Sequence, residues 1–189
     1  MDPILKDIST TIETERLLLR CPQPGEGKHM YEAVNESLDE FQQWFPWAHE
    51  EHTLENSEVN VRKAQLNFLR REGLPFMIWL KESKMLVGRV GFVDIDWQIP
   101  AFEIGYWLRN SQTGRGYMTE AVAALTGFAF ASLDASRVEI QCDARNEKSA
   151  AIARRLGYTF EACHRAERFD AHGKTLVDTL VFAKVQRDE

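Results

Sequence analysis

The sequence predicts a mixed α/β fold in a single domain that spans residues 1–189. A chain of 189 residues with 44% hydrophobic side chains is long enough to bury one core, and no repeat or linker divides it. Strand-like alternation and helix-like periodicity follow each other along the chain. In the middle, an apolar-rich strand over 102–108 leads through a glycine-containing turn into an unusually apolar helix over 118–130. A helix without a polar face is expected to be buried on most sides.

The part of the chain before this block is predicted to contain three strands and two helices. Residues 1–12 are expected to form a loosely docked start. The predicted strands cover 14–20, 76–81 and 85–95, and the predicted helices cover 27–36 and 54–71. In the longer helix, the residues expected to face the core are Leu54, Val61, Leu66 and Leu69.

The part of the chain after the apolar helix is predicted to contain one further helix and three strands. Apolar and polar residues alternate over 137–143, which indicates a half-exposed strand. Asn146 is a good N-cap for a helix that ends at Leu156, because Gly157 suits the position after a helix. The last two strands are predicted over 158–161 and 175–185.

Composition and charge exclude several classes of function. The net charge of −6 argues against a nucleic-acid-binding protein. No run of 18 apolar residues is present and the first residues lack a basic, apolar leader, so neither a membrane span nor a signal peptide is expected. The cysteines have no metal-ligand spacing, so no metal is expected and reduced thiols in the cytoplasm are the simplest account of Cys21, Cys142 and Cys163.

The charge is distributed unevenly along the chain. Residues 1–60 carry 13 acidic and 4 basic side chains, whereas the remainder has a small basic excess. A polyphosphate ligand suits the basic part and a cationic amine suits the acidic part. Ordinary solvated surface explains the acidic part equally well.

The turn over 112–117 has the features of an anion site. Gly114 and Gly116 allow backbone N–H groups to converge, and the following helix begins with N–H groups that have no internal partner. A dinucleotide fingerprint requires a third glycine where Thr119 stands, and a P-loop requires a Gly-Lys-Ser/Thr end that the chain lacks. An ordinary strand-to-helix turn remains the alternative.

The block Ile104-Gly-Tyr-Trp-Leu108, Gln112-x-Gly-x-Gly-Tyr117 and Thr119-Glu-Ala121 resembles the acetyl-CoA site of the GNAT N-acetyltransferases. The opening Thr14-Glu-Arg-Leu17 and the segment Asn146-x-x-Ser149 resemble the RimJ/RimL type, which acetylates protein N-termini. This resemblance covers most of the chain. It implies a mostly antiparallel sheet of about seven strands, flanked by helices and splayed at the strand that binds acetyl-CoA. Because similar enzymes are commonly homodimers, it also implies a homodimer.

The resemblance assigns the residues that hold acetyl-CoA. Backbone groups of the central strand are expected to bind the pantetheine arm, and a bulge in that strand is expected to free an N–H for the thioester oxygen. The glycine turn is expected to bind the pyrophosphate. The basic side chains after it are expected to face either the adenosine phosphates or the solvent. The expected cofactor-binding residues are Tyr106, Trp107, Leu108, Gln112, Thr113, Gly114, Arg115, Gly116, Tyr117, Asn146, Ser149 and Arg154, with Arg145, Lys148 and Arg155 as further basic candidates.

The resemblance also proposes catalytic residues. Glu167 is the first candidate for the base that takes the proton of the amine, Glu103 on the central strand is the second, and His164 is the third. Ser149 is expected to protonate the leaving thiolate, with Tyr158 as a competing donor.

The aromatic segment 41–47 is expected to be either core or the wall of an acceptor pocket, formed there by Trp44 and Trp47. The sequence as a whole predicts transfer of an acetyl group from acetyl-CoA to a primary amine, with the α-amine of a ribosomal protein as the first acceptor. Three rival functions stay open: acetylation of a small amine such as an antibiotic, a non-catalytic sensor that binds CoA, and a generic nucleotide binder.

Overall fold

The computed structural model describes residues 2–186, so Met1 and residues 187–189 of the predicted domain lie outside the described residues. An eight-stranded sheet dominates the fold, in the order β1-β2-β3-β4-β5-β6-β8-β7. Only β5 and β6 run parallel, and all other neighbours pair antiparallel. The strands are β1 Thr11–Glu13, β2 Leu17–Arg20, β3 Leu74–Leu80, β4 Leu86–Asp96, β5 Ala101–Leu108, β6 Arg137–Asp143, β7 Thr159–Phe169 and β8 Leu176–Val185.

Within residues 2–186, five α-helices cover the sheet, and short 3₁₀ turns lie at Pro3–Leu5, Pro46–His49 and Asn110–Gln112. The helices are α1 Gly27–Glu36, α2 Leu38–Phe41, α3 Leu54–Arg70, α4 Tyr117–Ser132 and α5 Glu147–Arg155. Side-chain caps fix two of the helix starts. The Thr53 hydroxyl accepts the Asn56 N–H at 3.0 Å, and Asn146 Oδ1 accepts the Ser149 N–H at 3.0 Å. No helix among residues 2–186 is both long and apolar enough to cross a bilayer.

The core divides into two clusters. One includes the buried face of α4 and the side chains of Phe102 and Ile104 on β5. The other includes Met77 and Trp79 of β3 together with buried residues of α1, and Trp107 of β5 packs against it. Side chains alternate along β5, so residues 102, 104, 106 and 108 face one layer and residues 103, 105 and 107 face the other. This strand therefore serves both faces of the sheet.

The predicted fold class is confirmed: strands and helices mix, and the sheet is mostly antiparallel. The sheet contains eight strands because β1, expected to be part of a loose start, pairs with β2 from Thr11 to Glu13. The strand predicted over 158–161 is also longer than expected. It continues to Phe169 along β8, with irregular pairing between His164 and Arg168.

The predicted core face of α3 was wrong at three positions. Leu54, Leu66 and Leu69 are exposed, whereas Val61 is buried as predicted. The helix buries the positions Ser57, Val61, Ala64 and Phe68. Their spacing follows a single helical stripe, which one serine and one alanine make hard to recognise by hydrophobicity.

The two parallel strands separate soon after they begin. β5 and β6 pair only from Ala101 to Glu103, opposite Arg137 to Glu139. From Ile104 to Leu108, the edge of β5 that faces β6 has no strand partner among the described residues. The predicted bulge in β5 was wrong, because the extra residue, Val93, lies on the neighbouring strand β4.

Candidate active site

A cavity of about 800 Å³ lies where β5 has left β6. The second half of β5 forms one wall, the start of α4 closes one end, and α5 forms the opposite wall. Aromatic residues around α2 complete the lining. The predicted site residues that line the cavity are Trp44, Tyr106, Trp107, Leu108, Thr113, Gly114, Gly116, Tyr117, Asn146 and Ser149.

The glycine turn has the backbone geometry of an anion-binding loop. Gly114 and Gly116 have φ values of 74° and 80°, in the left-handed region that favours glycine. Gly116 is also the N-cap of α4, and its carbonyl accepts the Glu120 N–H at 3.0 Å. The N–H groups before Glu120 in the first turn have no intrahelical acceptor, and they lie at the end of the cavity. A positively polarised surface thus faces the cavity.

Arg16 anchors this turn from the other end of the chain. Its Nη1–H donates to the Arg115 carbonyl at 3.0 Å, and its Nε–H donates to Glu120 Oε2 at 2.6 Å. The guanidinium also lies 4.6 Å from the centre of the Tyr117 ring. Although burial opposes the effect, hydrogen bonds from Thr14 and Arg16 lower the pKa of Glu120. The Thr-x-Arg of the N-terminal segment therefore holds an ionised carboxylate beside the turn.

Tyr106 and Ser149 form a hydroxyl pair across the cavity. The Tyr106 hydroxyl lies 2.8 Å from Ser149 Oγ, and the Asn146 cap fixes the start of the helix that carries Ser149. Burial raises the pKa of Tyr106 well above its ordinary value, so the phenol stays protonated at neutral pH. Tyr158, the competing donor considered from sequence, is buried elsewhere, with its hydroxyl 2.6 Å from Thr126 Oγ1.

Basic side chains cross the opening of the cavity. Lys148 Nζ lies 2.8 Å from Glu40 Oε1, and an Nη1–H of Arg155 donates to Thr119 Oγ1 at 3.0 Å. All four of these residues line the cavity. Arg154 does not, because it pairs with Glu147 at 3.2 Å and lies over the Phe182 ring.

An aromatic cluster lies between this cavity and a second one, and Trp107 belongs to the lining of both. The Phe41 ring lies 5.4 Å from Trp107 and 5.7 Å from Trp47, and Phe45 stacks on Trp47. Trp44 lines the first cavity and Trp47 lines the second, whereas Trp107 lines both. The predicted segment therefore provides core and cavity wall at once.

Glu103 lies at the point where β5 and β6 separate. It is the last residue of β5 with a partner on β6, and its neighbours in the register are Glu139 and Asp94. Burial, followed by the charges of Glu139 and Asp94, raises its pKa to about 7. A carboxyl group with this pKa exists in both protonation states near neutral pH, as a general base requires.

Glu167 differs from Glu103 in both its exposure and the direction of its pKa shift. Its side chain is exposed, and its Oε1 lies 2.6 Å from His164 Nδ1. The neighbouring Thr179 hydroxyl and His164 lower the pKa of Glu167. Neither Glu167 nor His164 lines the cavity.

The Acetyltransferase (GNAT) domain family matches residues 16–159, well over half of the chain. The chain belongs to the GNAT acetyltransferases. Its family, its class as an acetyl-CoA-dependent N-acetyltransferase and its cofactor, acetyl-CoA, are as predicted.

Individual relatives of the acetyltransferase agree with this assignment. The N-acetyltransferase p20 of Bacillus licheniformis is 32% identical over 70% of this chain and 74% of its own. The ribosomal-protein-serine acetyltransferase of Escherichia coli is 28% identical over 82% of this chain and 86% of its own. A solved acetyltransferase from Salmonella typhimurium, which modifies the N-terminal serine of ribosomal protein L7/L12, is 25% identical, with a TM-score of 0.80 over 93% of this chain and 98% of that chain.

Not all of the predicted site residues meet in the acetyltransferase. Those that do not line the first cavity are Gln112, Arg115, Arg145, Arg154, Glu103, Glu167, His164, Tyr158 and Trp47. Gln112 is buried beneath the turn, and Arg115 contributes its carbonyl to the Arg16 anchor. Trp47 and Glu103 belong to the other face of the sheet.

Sequence reasoning missed two features of the site. Tyr106 was expected to offer only its backbone, yet its hydroxyl reaches Ser149. Its position next to Trp107 puts the two side chains on opposite faces, which the alternation along β5 could have indicated. The second cavity, lined by Trp47 and Trp107 among others, left no motif in the sequence.

Proposed function

We propose that this acetyltransferase transfers the acetyl group of acetyl-CoA to the α-amine of a protein N-terminus, with a ribosomal protein that begins with serine as the first acceptor to test. The names of the Escherichia coli and Salmonella typhimurium relatives support this choice of acceptor. A cytoplasmic location, a homodimer and a single domain over 1–189 remain predictions.

One observation carries the proposal: the unpaired edge of β5 and the free N–H groups of α4 face the same cavity. The edge from Ile104 to Leu108 can hydrogen-bond the two amides of a pantetheine arm as an added strand does. The positive φ values of Gly114 and Gly116 allow neighbouring N–H groups to converge, as the binding of a diphosphate would require. These features fit acetyl-CoA in both its amide and its phosphate parts.

Bound acetyl-CoA supplies an activated thioester. Of the residues proposed to bind it, Lys148 and Arg155 are better placed than Arg154 to meet the outer phosphates, because both line the cavity. The Tyr106–Ser149 pair is proposed to give a proton to the sulfur as it leaves, and the raised pKa of Tyr106 keeps that proton available.

Glu103 is proposed as the general base in preference to Glu167. An α-amine has a pKa of about 8, so a base with a pKa near 7 can remove the proton directly or through one water. Glu103 has the raised pKa and lies on the strand that lines the cavity, whereas Glu167 is exposed with a lowered pKa. The acceptor amine then approaches from the face of the sheet that carries residues 103, 105 and 107.

A release assay for free thiol, with peptides of ribosomal-protein N-termini as acceptors, tests the proposal. Each peptide should have a matched form with a blocked α-amine and an unchanged internal lysine. We expect acetylation of the free α-amine and its loss in the blocked form, with mass spectrometry locating the product. Activity on small amines alone, with no activity on any peptide, contradicts the proposed acceptor.

A further inference from the structure

The second cavity, of about 430 Å³, lies on the face of the sheet that carries Arg89 and Trp107. The helices α1 and α3 form two of its sides, and the chain around the Pro46–His49 turn forms a third. Its lining includes side chains of β4 and β5, namely Arg89 and Trp107. Trp107 also lines the first cavity, so the two cavities meet at one residue of β5.

Arg89 is an unusual residue for this position. In the register it lies between Met77 of β3 and Trp107 of β5, so its two neighbours in the cross-strand row are apolar. The next arginine in that row, Arg20 of β2, has a carboxylate partner in Glu26. Arg89 is half-buried, and its guanidinium forms no hydrogen bond or ion pair with any described residue. Burial alone lowers the pKa of its guanidinium from the ordinary value. An arginine desolvated in this way costs free energy unless an anion is present to pair with it.

A second unpaired donor lies in the same cavity. Ser57 is 1% exposed, and its hydroxyl has no hydrogen-bond partner within residues 2–186. It belongs to the buried stripe of α3 and lines the cavity together with Arg89. Buried hydroxyl groups are normally hydrogen-bonded, so this one also indicates a missing partner.

The chain itself does not provide the anion. Glu50 and Glu51 line the cavity, but both are exposed at its rim and neither pairs with Arg89. Lys63 on the same rim is exposed and adds a further positive charge. Arg89 and Ser57 both line the cavity, so a group that enters from outside meets two unpaired donor side chains there.

We propose that the second cavity is an acceptor subsite that binds a carboxylate, held by the Arg89 guanidinium and the Ser57 hydroxyl. This inference rests on the proposed function, because it places the acceptor on the Trp107 face of β5. The acceptor is then a peptide with aspartate or glutamate within its first three residues, close to the amine that is acetylated. Arginine suits this role because its planar fork binds both carboxylate oxygens.

Steady-state kinetics on isosteric peptide pairs test the inference. Each pair has the same N-terminal residue and differs only by aspartate or asparagine at position two or three. We expect kcat/KM to favour the aspartate peptide by about tenfold or more, mostly through KM, because a charge-assisted pair is lost with asparagine. In Arg89→Gln the ratio should fall to about one, whereas Arg89→Lys should keep part of it. Ser57→Ala should reduce the ratio a few-fold.

Lys63→Gln is the matched control, since it removes a positive charge from the rim of the same cavity. It should leave the aspartate-to-asparagine ratio unchanged, whereas general attraction would lower it as much as Arg89→Gln does. A ratio near one in the unaltered enzyme, or a ratio that Arg89→Gln does not change, overturns the inference.

Succinate provides a measurement that needs neither an active acceptor nor a folded Arg89→Gln variant. We expect succinate to raise the melting temperature of the unaltered enzyme above the value in sodium chloride of equal ionic strength, and succinamide not to do so. Arg89→Lys should reduce this shift. If no peptide is acetylated but succinate stabilises the enzyme, the proposed acceptor fails and the carboxylate site stands. If peptides are acetylated without either preference or stabilisation, the proposed function stands and this inference fails.

Discussion

The two cavities on either side of β5 are built in different ways. The first depends largely on the main chain: an unpaired strand edge, two glycines with positive φ and the start of a helix. The second depends on the side chains of Ser57, Arg89 and Trp107, which belong to three elements. A site made of backbone leaves a local signature in the sequence, because glycine positions and spacing are constrained. A site made of side chains leaves none, because only packing brings its members together.

The largest effect is expected for Glu103→Gln, which tests whether the chemistry belongs to the face of the second cavity. We expect kcat/KM to fall by about a hundredfold or more, the usual cost of removing a general base. In the unaltered enzyme, kcat/KM should rise with pH through an apparent pKa of about 7. In the variant this rise of kcat/KM with pH should disappear, so that the remaining pH dependence comes from the titration of the acceptor amine alone.

Glu167→Gln is the matched control, because it removes an exposed carboxylate with a lowered pKa. It should change kcat/KM no more than about twofold. If it lowers kcat/KM as much as Glu103→Gln does, the base lies on β7 and the assignment of the chemistry to β5 is wrong.

The same Glu103 variant should alter the pH dependence of stability. The folded state raises the pKa of Glu103 from 4.5 to about 7, so its contribution is fully present below pH 4.5 and is lost as the pH rises through 7. Glu103→Gln should therefore melt at a higher temperature than the unaltered enzyme at pH 8, and the difference should shrink toward pH 5. Calorimetry at the two pH values measures it, and an equal difference at both contradicts the raised pKa.

A smaller effect is expected for Gly116→Ala, which tests whether the first cavity depends on backbone conformation. Its φ of 80° costs a residue with a Cβ about 1–2 kcal/mol, so the turn should shift away from the geometry of an anion site. We expect the dissociation constant for CoA, measured by calorimetry, to rise about tenfold.

Gly127→Ala is the control for this substitution. Gly127 lies within α4 without a positive φ, and an added Cβ would meet no atom within 4 Å. This variant should keep the CoA affinity and stabilise the helix by about 0.5–1 kcal/mol. Equal affinity in the two variants would mean that the turn does not grip the cofactor through its main chain.

The smallest effect is expected at the hydroxyl pair, where two side chains of the first cavity contact each other. Tyr106→Phe and Ser149→Ala should each lower kcat a few-fold to tenfold, and the double variant should lose little more, because the two hydroxyls act together. In the unaltered enzyme the Tyr158 hydroxyl lies against Thr126, outside the cavity. Tyr158→Phe should therefore lower the stability but leave kcat unchanged. Fully multiplicative losses in a rapid-mixing assay would contradict a shared proton donor.

How well each region could be predicted from the sequence depends on whether it is built from the main chain or from side chains. The glycine turn, the Asn146 cap and the separated strand were all expected, because each has a local or family-wide pattern. The start of the chain was expected to be loosely docked, because a strand of three residues is too short to show a period in the sequence. In the structure Ile8 is buried and β1 pairs with β2. The preference for Glu167 came from the resemblance of the segment 161–167 to the glutamate region of the family. Burial and neighbouring charges, which raise the pKa of Glu103, depend on the folded sheet.

The anchor formed by Arg16 links the turn to folding itself. Arg16 and Glu120 are 104 residues apart in sequence, so their contact forms only after the intervening strands and helices have closed a long loop. A nascent chain presents its arginine first and has no carboxylate for it until α4 emerges. We therefore expect the cofactor turn to become rigid late in folding, and partly folded chains to bind CoA weakly.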